Sequence, residues 1–173
     1  KDEGKIRLIG QSAYSHKDFV KLIPKVKPDV LQSFANPVER DFVDDGNPTR
    51  KLMEENQISF VAFRPLYEGL LLDKYKKENP PQFENGDHRK GLSRFSYENL
   101  AKLEAQLNKI KERFGSSTED LARVAQQYLL HYNFVGAVIP GFRNLRQVQV
   151  NLSAMDKPLT DDEFEFVKSV FSE

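Results

Sequence analysis

The sequence contains no cysteine, and its 26 basic side chains are balanced by 26 acidic ones. The absence of cysteine excludes a disulfide framework, a thiolate zinc site and a cysteine nucleophile, and it is typical of a reducing compartment. We therefore expect a cytoplasmic protein. A formal charge of zero provides no basic field to hold a polyanion, so we expect no nucleic-acid partner.

Long apolar runs are missing as well. The longest, at residues 60–63 and 70–72, fall far short of the roughly 18 residues that a membrane span needs, and no apolar stretch follows the charges of residues 1–5. We therefore expect neither a membrane partner nor a signal peptide. The chain is 39% hydrophobic and has 13 Phe and 6 Tyr, which is enough apolar material for a single domain over residues 1–173.

A short apolar segment followed by a turn and a helical pattern occurs four times along the chain. The apolar segments, which we predict as strands, are residues 6–10, 30–34, 58–63 and 136–139. This alternation predicts an α/β fold with a parallel sheet. Four βα units do not complete an eight-stranded barrel, and an open sheet of four has two unpaired edges, so we expect something to cover those edges.

Capping residues predict where the helices begin and end. Ser15 is expected to cap a short helix that Pro24 and Pro28 bring to an end. Ser117 with Asp120, and Thr160 with Glu163, are typical of capping boxes. Other expected helices cover residues 49–55, 100–114 with Gly115 as the stop, and a segment bearing Leu145, Val148 and Leu152.

Polar residues and glycines cluster where the predicted strands end, at residues 10–12, at Gln32, and at residues 63–66 and 140–143. The carboxyl ends of parallel strands face one side of the fold, and that side carries the ligand site. Gln32 lies within an apolar strand, where its amide is satisfied either by neighbouring backbone or by a ligand. His16, His88 and His131 lack a metal-like spacing and are expected to be surface or packing residues.

Four successive motifs of the chain resemble the aldo-keto reductases, and they agree in order and spacing over essentially the whole sequence. The motifs are GKIRLIG at 4–10 with Ser12; Leu31-Gln32 with Asn36, Glu39 and Arg40; AFRPL at 62–66 with Gly69-Leu70-Leu71 and Lys74-Tyr75; and IPGFR at 139–143 with Gln147 and Asn151. Gly-Asp-His-Arg at 86–89 and the Pro-Gly-x-Arg of the last motif are most similar to the bacterial-type branch.

The resemblance implies a (β/α)8 barrel of the TIM type that binds NADP(H) and reduces aldehydes or ketones, so its partner is a small-molecule carbonyl substrate. By register, this chain corresponds to strands five to eight, the carboxyl-terminal half-barrel. The family's catalytic Asp, Tyr, Lys and His lie on strands two to four. No catalytic residue is therefore carried over, and the chain alone is expected to be inactive.

The resemblance also implies a set of cofactor-binding residues. Ser12 and Gln32 match the residues that bind the nicotinamide carboxamide, and Phe63 stands where the family stacks a Tyr on the nicotinamide ring, a contact that survives loss of the hydroxyl. The remaining matches are Arg64, Leu66 and Gly69 along the pyrophosphate, and Gly141, Arg143, Gln147 and Asn151 around the adenosine and its 2′-phosphate. We expect Ser12, Gln32, Phe63 and Arg143 to surround one cavity. The chain departs from the family pattern at Ala13, Ala35 and Asp73, the last of which replaces a glycine.

Three explanations of the half-barrel stay open. The missing amino-terminal half-barrel completes an enzyme, or the chain is a non-catalytic binding module that dimerises through its edge strands, or it is a fragment left by proteolysis or by the choice of expressed segment. The long loop over residues 67–95 is expected at the active face. By analogy with loops at that face of such barrels, we expect it to form a lid over the pyrophosphate and the substrate.

Overall fold

The computed structural model describes residues 1–153 and 155–172, and it forms a parallel four-stranded sheet with helices. The strands, in spatial order β1-β2-β3-β4, are β1 (Gly10–Ser12), β2 (Val30–Phe34), β3 (Ser59–Phe63) and β4 (Val135–Ile139). The helices are α1 (His16–Val26), α2 (Pro48–Glu55), α3 (Tyr97–Phe114), α4 (Thr118–Leu130), α5 (Leu145–Ser153) and α6 (Asp161–Val170). The predicted parallel α/β architecture is confirmed.

The two faces of the sheet differ in burial, because side chains alternate along each strand. Leu31, Phe60 and Ala62 are fully buried among the helices. The alternate positions are only partly buried, and Ile139 is 44% exposed. We call this second side the uncovered face; its residues are Ser12, Gln32, Phe34, Val61, Phe63 and Ile139. The ring of Tyr14 rests on Phe34 and Phe63 at centroid distances of 6.4 and 5.6 Å.

The core next to the sheet is built around Phe42, which is 1% exposed. Its ring makes edge contacts with Phe19 and Phe34 at 5.5 and 5.3 Å and stacks on Phe60 at 6.4 Å. Further out, α3, α4 and α6 pack through aliphatic and aromatic side chains including Leu107, Ile110, Tyr128 and Val167. Both predicted capping boxes are present, at Ser117 with Asp120 and at Thr160 with Glu163.

Two local predictions are wrong. The first strand is Gly10–Ser12 rather than 6–10, and Ile6 and Leu8 are 51% and 64% exposed. An edge strand has a neighbour on one side only, and at Ile9 the pairing with that neighbour is irregular. The Ile9 amide donates to the Asp29 carboxylate at 2.8 Å, and the Ile9 carbonyl accepts from the Asp29 and Val30 amides at 2.8 and 3.2 Å. Helix α1 continues through Pro24, because a proline in the last turn removes a single N–H and the helix ends only at Lys27, in a left-handed conformation.

The predicted helix bearing Leu145, Val148 and Leu152 is present as α5. Leu145 and Leu152 are 71% and 58% exposed, whereas Val150 and Asn151 are buried. The Asn151 amide donates to the carbonyl of Gly141 at 2.9 Å, and this bond turns the polar Asn151 inward. None of the described helices is both long enough and apolar enough to cross a membrane.

Candidate functional site

A cavity of about 630 Å³ lies where β3 and β4 end. Its first side, which we call the β3 wall, is formed by residues 64–74, and its second side, the α5 wall, by residues 140–151. Between them lie the rim, residues 86–89, and Thr118 at the start of α4. Five lining side chains are cationic and two are carboxylates; they are Arg64, Lys74, Arg89, Arg143 and Arg146 against Glu68 and Asp87. The cavity therefore favours an anionic ligand.

The backbone of the β3 wall is strained. Arg64, Tyr67, Glu68 and Asp73 all have positive φ angles, between 50° and 61°, in the left-handed region that non-glycine residues seldom adopt. Each such residue costs roughly 1–2 kcal/mol. The turn persists because the two leucines that follow Gly69, Leu70 and Leu71, are 1% and 2% exposed in the core.

A network of four charged side chains supports this wall. Arg64 donates from Nη2 to Glu39 Oε2 at 2.7 Å, and its Nη1 is 3.6 Å from Glu68 Oε1. Arg94 lies 3.5 Å from Glu39 and 3.8 Å from Glu68. All four side chains are at most 20% exposed. The charge of Arg64 is thus balanced by carboxylates, although Arg64 lines the cavity.

The rim is pinned by Asp87 and Arg89. Asp87 Oδ1 accepts from the backbone N–H and the Nε of Arg89, both at 2.9 Å, and Oδ2 accepts from Nη2 at 2.6 Å. These side-chain and backbone hydrogen bonds from Arg89 hold the pKa of Asp87 well below its ordinary value. The guanidinium lies 4.4 Å from the centroid of the Phe83 ring and donates to the hydroxyl of Tyr75 at 3.3 Å. His88, as expected, is a surface residue, but it also lines the cavity.

The α5 wall is held by amide side chains. The buried Asn151 bonds Gly141, and Gln147 Oε1 accepts from the Arg143 backbone N–H at 2.7 Å. Among the described residues, the Arg143 guanidinium has no acidic partner, and neither has the amino group of Lys74, which lies 5.3 Å from the centroid of the Tyr75 ring. Arg143 and Lys74 are the cations most available to an anion in the cavity.

The structure brings seven of the ten predicted cofactor residues together in the walls of this cavity. They are Arg64, Leu66, Gly69, Gly141, Arg143, Gln147 and Asn151. Their role in binding stays a prediction.

Ser12, Gln32 and Phe63 lie elsewhere, on the uncovered face, where Ser12 pairs in register with Gln32. These three residues therefore do not line this cavity with Arg143, and their place around one ligand stays a prediction. A concave site needs walls on two sides, and the uncovered face provides only one.

Several cavity residues were not among the predicted site residues. Lys74 could have been found, because it belongs to the third motif quoted above. It follows Asp73, whose φ of 55° is one that glycine adopts without strain, and glycine is the residue that the family prefers at that position. Thr118 and Arg146 carry no local signal. They reach the cavity only because α4 and α5 pack against each other.

Comparison with known proteins gives a consistent family. The model of the Aldo/keto reductase family matches residues 1–171. Aldo-keto reductase str7 of Strobilurus tenacellus is 29% identical over 174 residues, which cover 99% of this chain and 50% of that protein. Aldo-keto reductase yakc [NADP(+)] of Schizosaccharomyces pombe is 26% identical over 160 residues, covering 92% and 46%.

Among solved structures, the glycerol dehydrogenase AKR11B4 from Gluconobacter oxydans superposes with a TM-score of 0.77 and 26% identity, covering 99% of this chain and 50% of that one. The chain thus spans about half the length of the relatives it matches. The four-stranded parallel sheet corresponds to half of a (β/α)8 barrel, and the predicted fold class is confirmed. Since the family model matches nearly every residue and the fold agrees, this chain belongs to the aldo-keto reductase family.

Proposed function

We propose that this chain is the NADP(H)-binding half of an aldo-keto reductase whose complete form reduces aldehydes or ketones. The observation that carries the proposal is the cavity at the ends of β3 and β4, where the chain gathers cations against few carboxylates. Its volume of about 630 Å³ is in the range of cofactor and small-molecule sites, roughly 300–1,000 Å³. When bound, the cofactor supplies the hydride that is added to the carbonyl carbon of the substrate.

Each wall has its own task in this proposal. Arg143 meets the 2′-phosphate, because an unpaired guanidinium offers a planar pair of donors to phosphate oxygens. Gln147 and Asn151 fix the adenosine beside it. On the other wall, Leu66 and Gly69 lie along the pyrophosphate, and Lys74 adds a positive charge that the sequence prediction had not included.

Arg64 shapes the site indirectly. Its guanidinium is committed to Glu39 at 2.7 Å, so the residue contributes its strained backbone and not a free cation. Ser12, Gln32 and Phe63 hold the nicotinamide on the uncovered face, with Phe63 presenting a ring for stacking.

The uncovered face also indicates what completes the site. Phe34, Val61 and Phe63 leave an apolar strip on the side of the sheet away from the helices, and β1 and β4 are its two edges. We propose that further strands of the same enzyme cover this strip and supply the proton donor. Mass measurement in solution tests this: a stable symmetric dimer of the 173-residue chain without cofactor affinity would favour the self-associating binding module instead.

Because the family resemblance assigns no proton donor to this chain, its activity can be tested directly. The 173-residue chain alone is expected to oxidise NADPH in the presence of a reactive aldehyde no faster than buffer does. A rate well above that of buffer would refute the assignment of the proton donor to other strands.

Cofactor preference tests the proposal itself. Arg143→Ala is expected to weaken NADPH binding about tenfold or more, since it removes charge-assisted hydrogen bonds to the 2′-phosphate, and to change NADH binding little. Isothermal titration of the chain with each cofactor measures both values. Arg113→Ala, which removes an arginine paired with Asp162 outside the cavity, is the matched control. Equal losses for NADPH and NADH would overturn the role of Arg143.

A further inference from the structure

The five cations of the cavity differ in how firmly acids hold them. Arg64 and Arg89 are bound by carboxylates in part-buried surroundings, and Arg143 and Lys74 have no acidic partner among the described residues. Arg146 is intermediate, because it is paired but the pair is exposed to solvent. The availability of Arg146 to a ligand in the cavity therefore depends on the strength of one ion pair.

That contact joins two helices at the mouth of the cavity. Arg146 Nη2 lies 2.5 Å from Glu119 Oε1, and the two side chains are 64% and 35% exposed. Arg146, near the start of α5, lines the cavity, and Glu119 follows Thr118, which also lines it. In the part of the chain that the structure describes, the Arg146 side chain makes no other ion pair or hydrogen bond.

We infer that Arg146 is a second cation for the 2′-phosphate of the dinucleotide and that Glu119 sets its availability, an inference that rests on the proposed function. An exposed ion pair stabilises little and is screened by salt, so Arg146 can exchange partners at small cost. A phosphate monoester carries about −1.5 to −2 charges at pH 7 against −1 for a carboxylate, so the phosphate is the stronger partner.

Glu119 opposes the same ligand in two ways. In the free protein the Glu119 carboxylate is paired with the Arg146 guanidinium that the phosphate needs. In the complex the same carboxylate places a negative charge near a negatively charged ligand. It is thus a specificity-determining residue that lowers the preference for a 2′-phosphorylated cofactor, whereas Arg146 raises that preference.

Small nucleotides separate this effect from the rest of the enzyme. Adenosine 2′,5′-bisphosphate carries the 2′-phosphate and 5′-AMP lacks it, and neither needs the nicotinamide end of the site. Isothermal titration of the 173-residue chain with each is expected to show tighter binding of the bisphosphate. Arg146→Gln is expected to weaken the bisphosphate about tenfold, and Arg146→Lys by less, because lysine keeps the charge but not the planar pair of donors.

Glu119→Gln is the decisive variant, because it is expected to tighten the bisphosphate about threefold while 5′-AMP changes less than twofold. In the double variant with Arg146→Gln, the gain from Glu119→Gln should disappear. The matched control is Asp162→Asn, which neutralises the acid of another exposed arginine pair, that with Arg113 outside the cavity. Circular dichroism checks that all variants fold.

The outcomes distinguish this inference from the proposed function. If the bisphosphate is preferred and Arg143→Gln removes that preference, but Glu119→Gln gives no gain or the gain persists without Arg146, the inference falls and the proposed function stands. If the unaltered chain does not prefer the bisphosphate over 5′-AMP, both fall.

Discussion

The β3 wall and the α5 wall face the same cavity but are stabilised in different ways. The β3 wall has strained residues between buried leucines, and its Arg64 is held by Glu39 at 2.7 Å. The α5 wall has ordinary backbone, many of its side chains are exposed, and the guanidinium of Arg143 is unpaired among the described residues. Packing and charge pairing fix the first wall before any ligand arrives, whereas the second keeps its cations for the ligand.

The largest difference between the walls should appear in stability. Glu39→Gln is expected to lower the free energy of unfolding by about 2 kcal/mol, because it leaves the part-buried Arg64 and Arg94 to share the single remaining carboxylate of Glu68. Glu119→Gln breaks an exposed pair on the α5 side and should cost about 0.5 kcal/mol or less. Urea unfolding of both variants measures the two values. Equal losses would show that the walls are not stabilised differently.

Amide hydrogen exchange compares the walls without mutation. Gly69 and Leu71 donate to the Leu66 carbonyl at 2.9 and 3.3 Å, and Arg143 and Gln147 donate to side-chain oxygens at 2.7 and 2.9 Å. All four amides are hydrogen-bonded, so bonding alone predicts similar protection. We expect the first two to exchange about tenfold more slowly, because opening the β3 wall also exposes buried leucines. Similar exchange rates for the two pairs of amides would contradict a β3 wall that is fixed before the ligand binds.

A pH effect is expected at the end of the β3 wall. Burial raises the pKa of Asp73, but hydrogen bonds from Lys76 at 2.7 Å and Lys111 at 3.0 Å outweigh burial and hold the pKa below the ordinary value of an aspartate. Because the folded-state pKa is the lower one, the stabilisation is present above about pH 4 and is lost as the pH falls through the folded-state value.

Asp73→Asn should accordingly be less stable than the unaltered chain near pH 6, by about 1 kcal/mol or less because the carboxylate is partly solvated. The difference should shrink toward pH 3. Urea unfolding at both pH values measures it, with Asp156→Asn as an exposed control. A difference that is unchanged between pH 6 and pH 3 would exclude the two lysine contacts as its source.

The smallest effect is predicted for Arg143→Gln, which should change the free energy of unfolding by less than about 0.5 kcal/mol. The residue is exposed, and its guanidinium makes no stabilising contact within the described part of the chain. Thermal unfolding followed by circular dichroism checks this. A large loss would mean that Arg143 supports the α5 wall and is not reserved for a ligand.

Structural features that depend only on residues close together in the sequence could be predicted from it. The capping boxes at Ser117 and Thr160 and the strand at 30–34 follow from local pattern, and the structure has them. The first strand was misplaced because its end is decided by Asp29, twenty residues away. Tertiary contacts override a local apolar pattern in such places.

The same distinction holds for the site. Motifs identified seven residues that share the cavity, since they follow β3 and β4 closely in sequence. The pairing of Arg64 with Glu39 joins positions 25 residues apart, and Arg146 meets Glu119 across two helices, so neither could be foreseen. Ser12 and Phe63 end their strands and Gln32 lies in the middle of β2, but the cavity does not reach them.

The aromatic cluster beneath the rim is a suitable position for a fluorescent reporter. Tyr75, Phe83 and Phe95 meet edge to face at 4.8–6.5 Å, and the sequence contains no tryptophan. A single indole introduced as Phe83→Trp would be the sole such fluorophore, and it would lie under the Arg89 guanidinium. Its emission would then report displacement of the rim in real time, because the chain has no other indole to contribute.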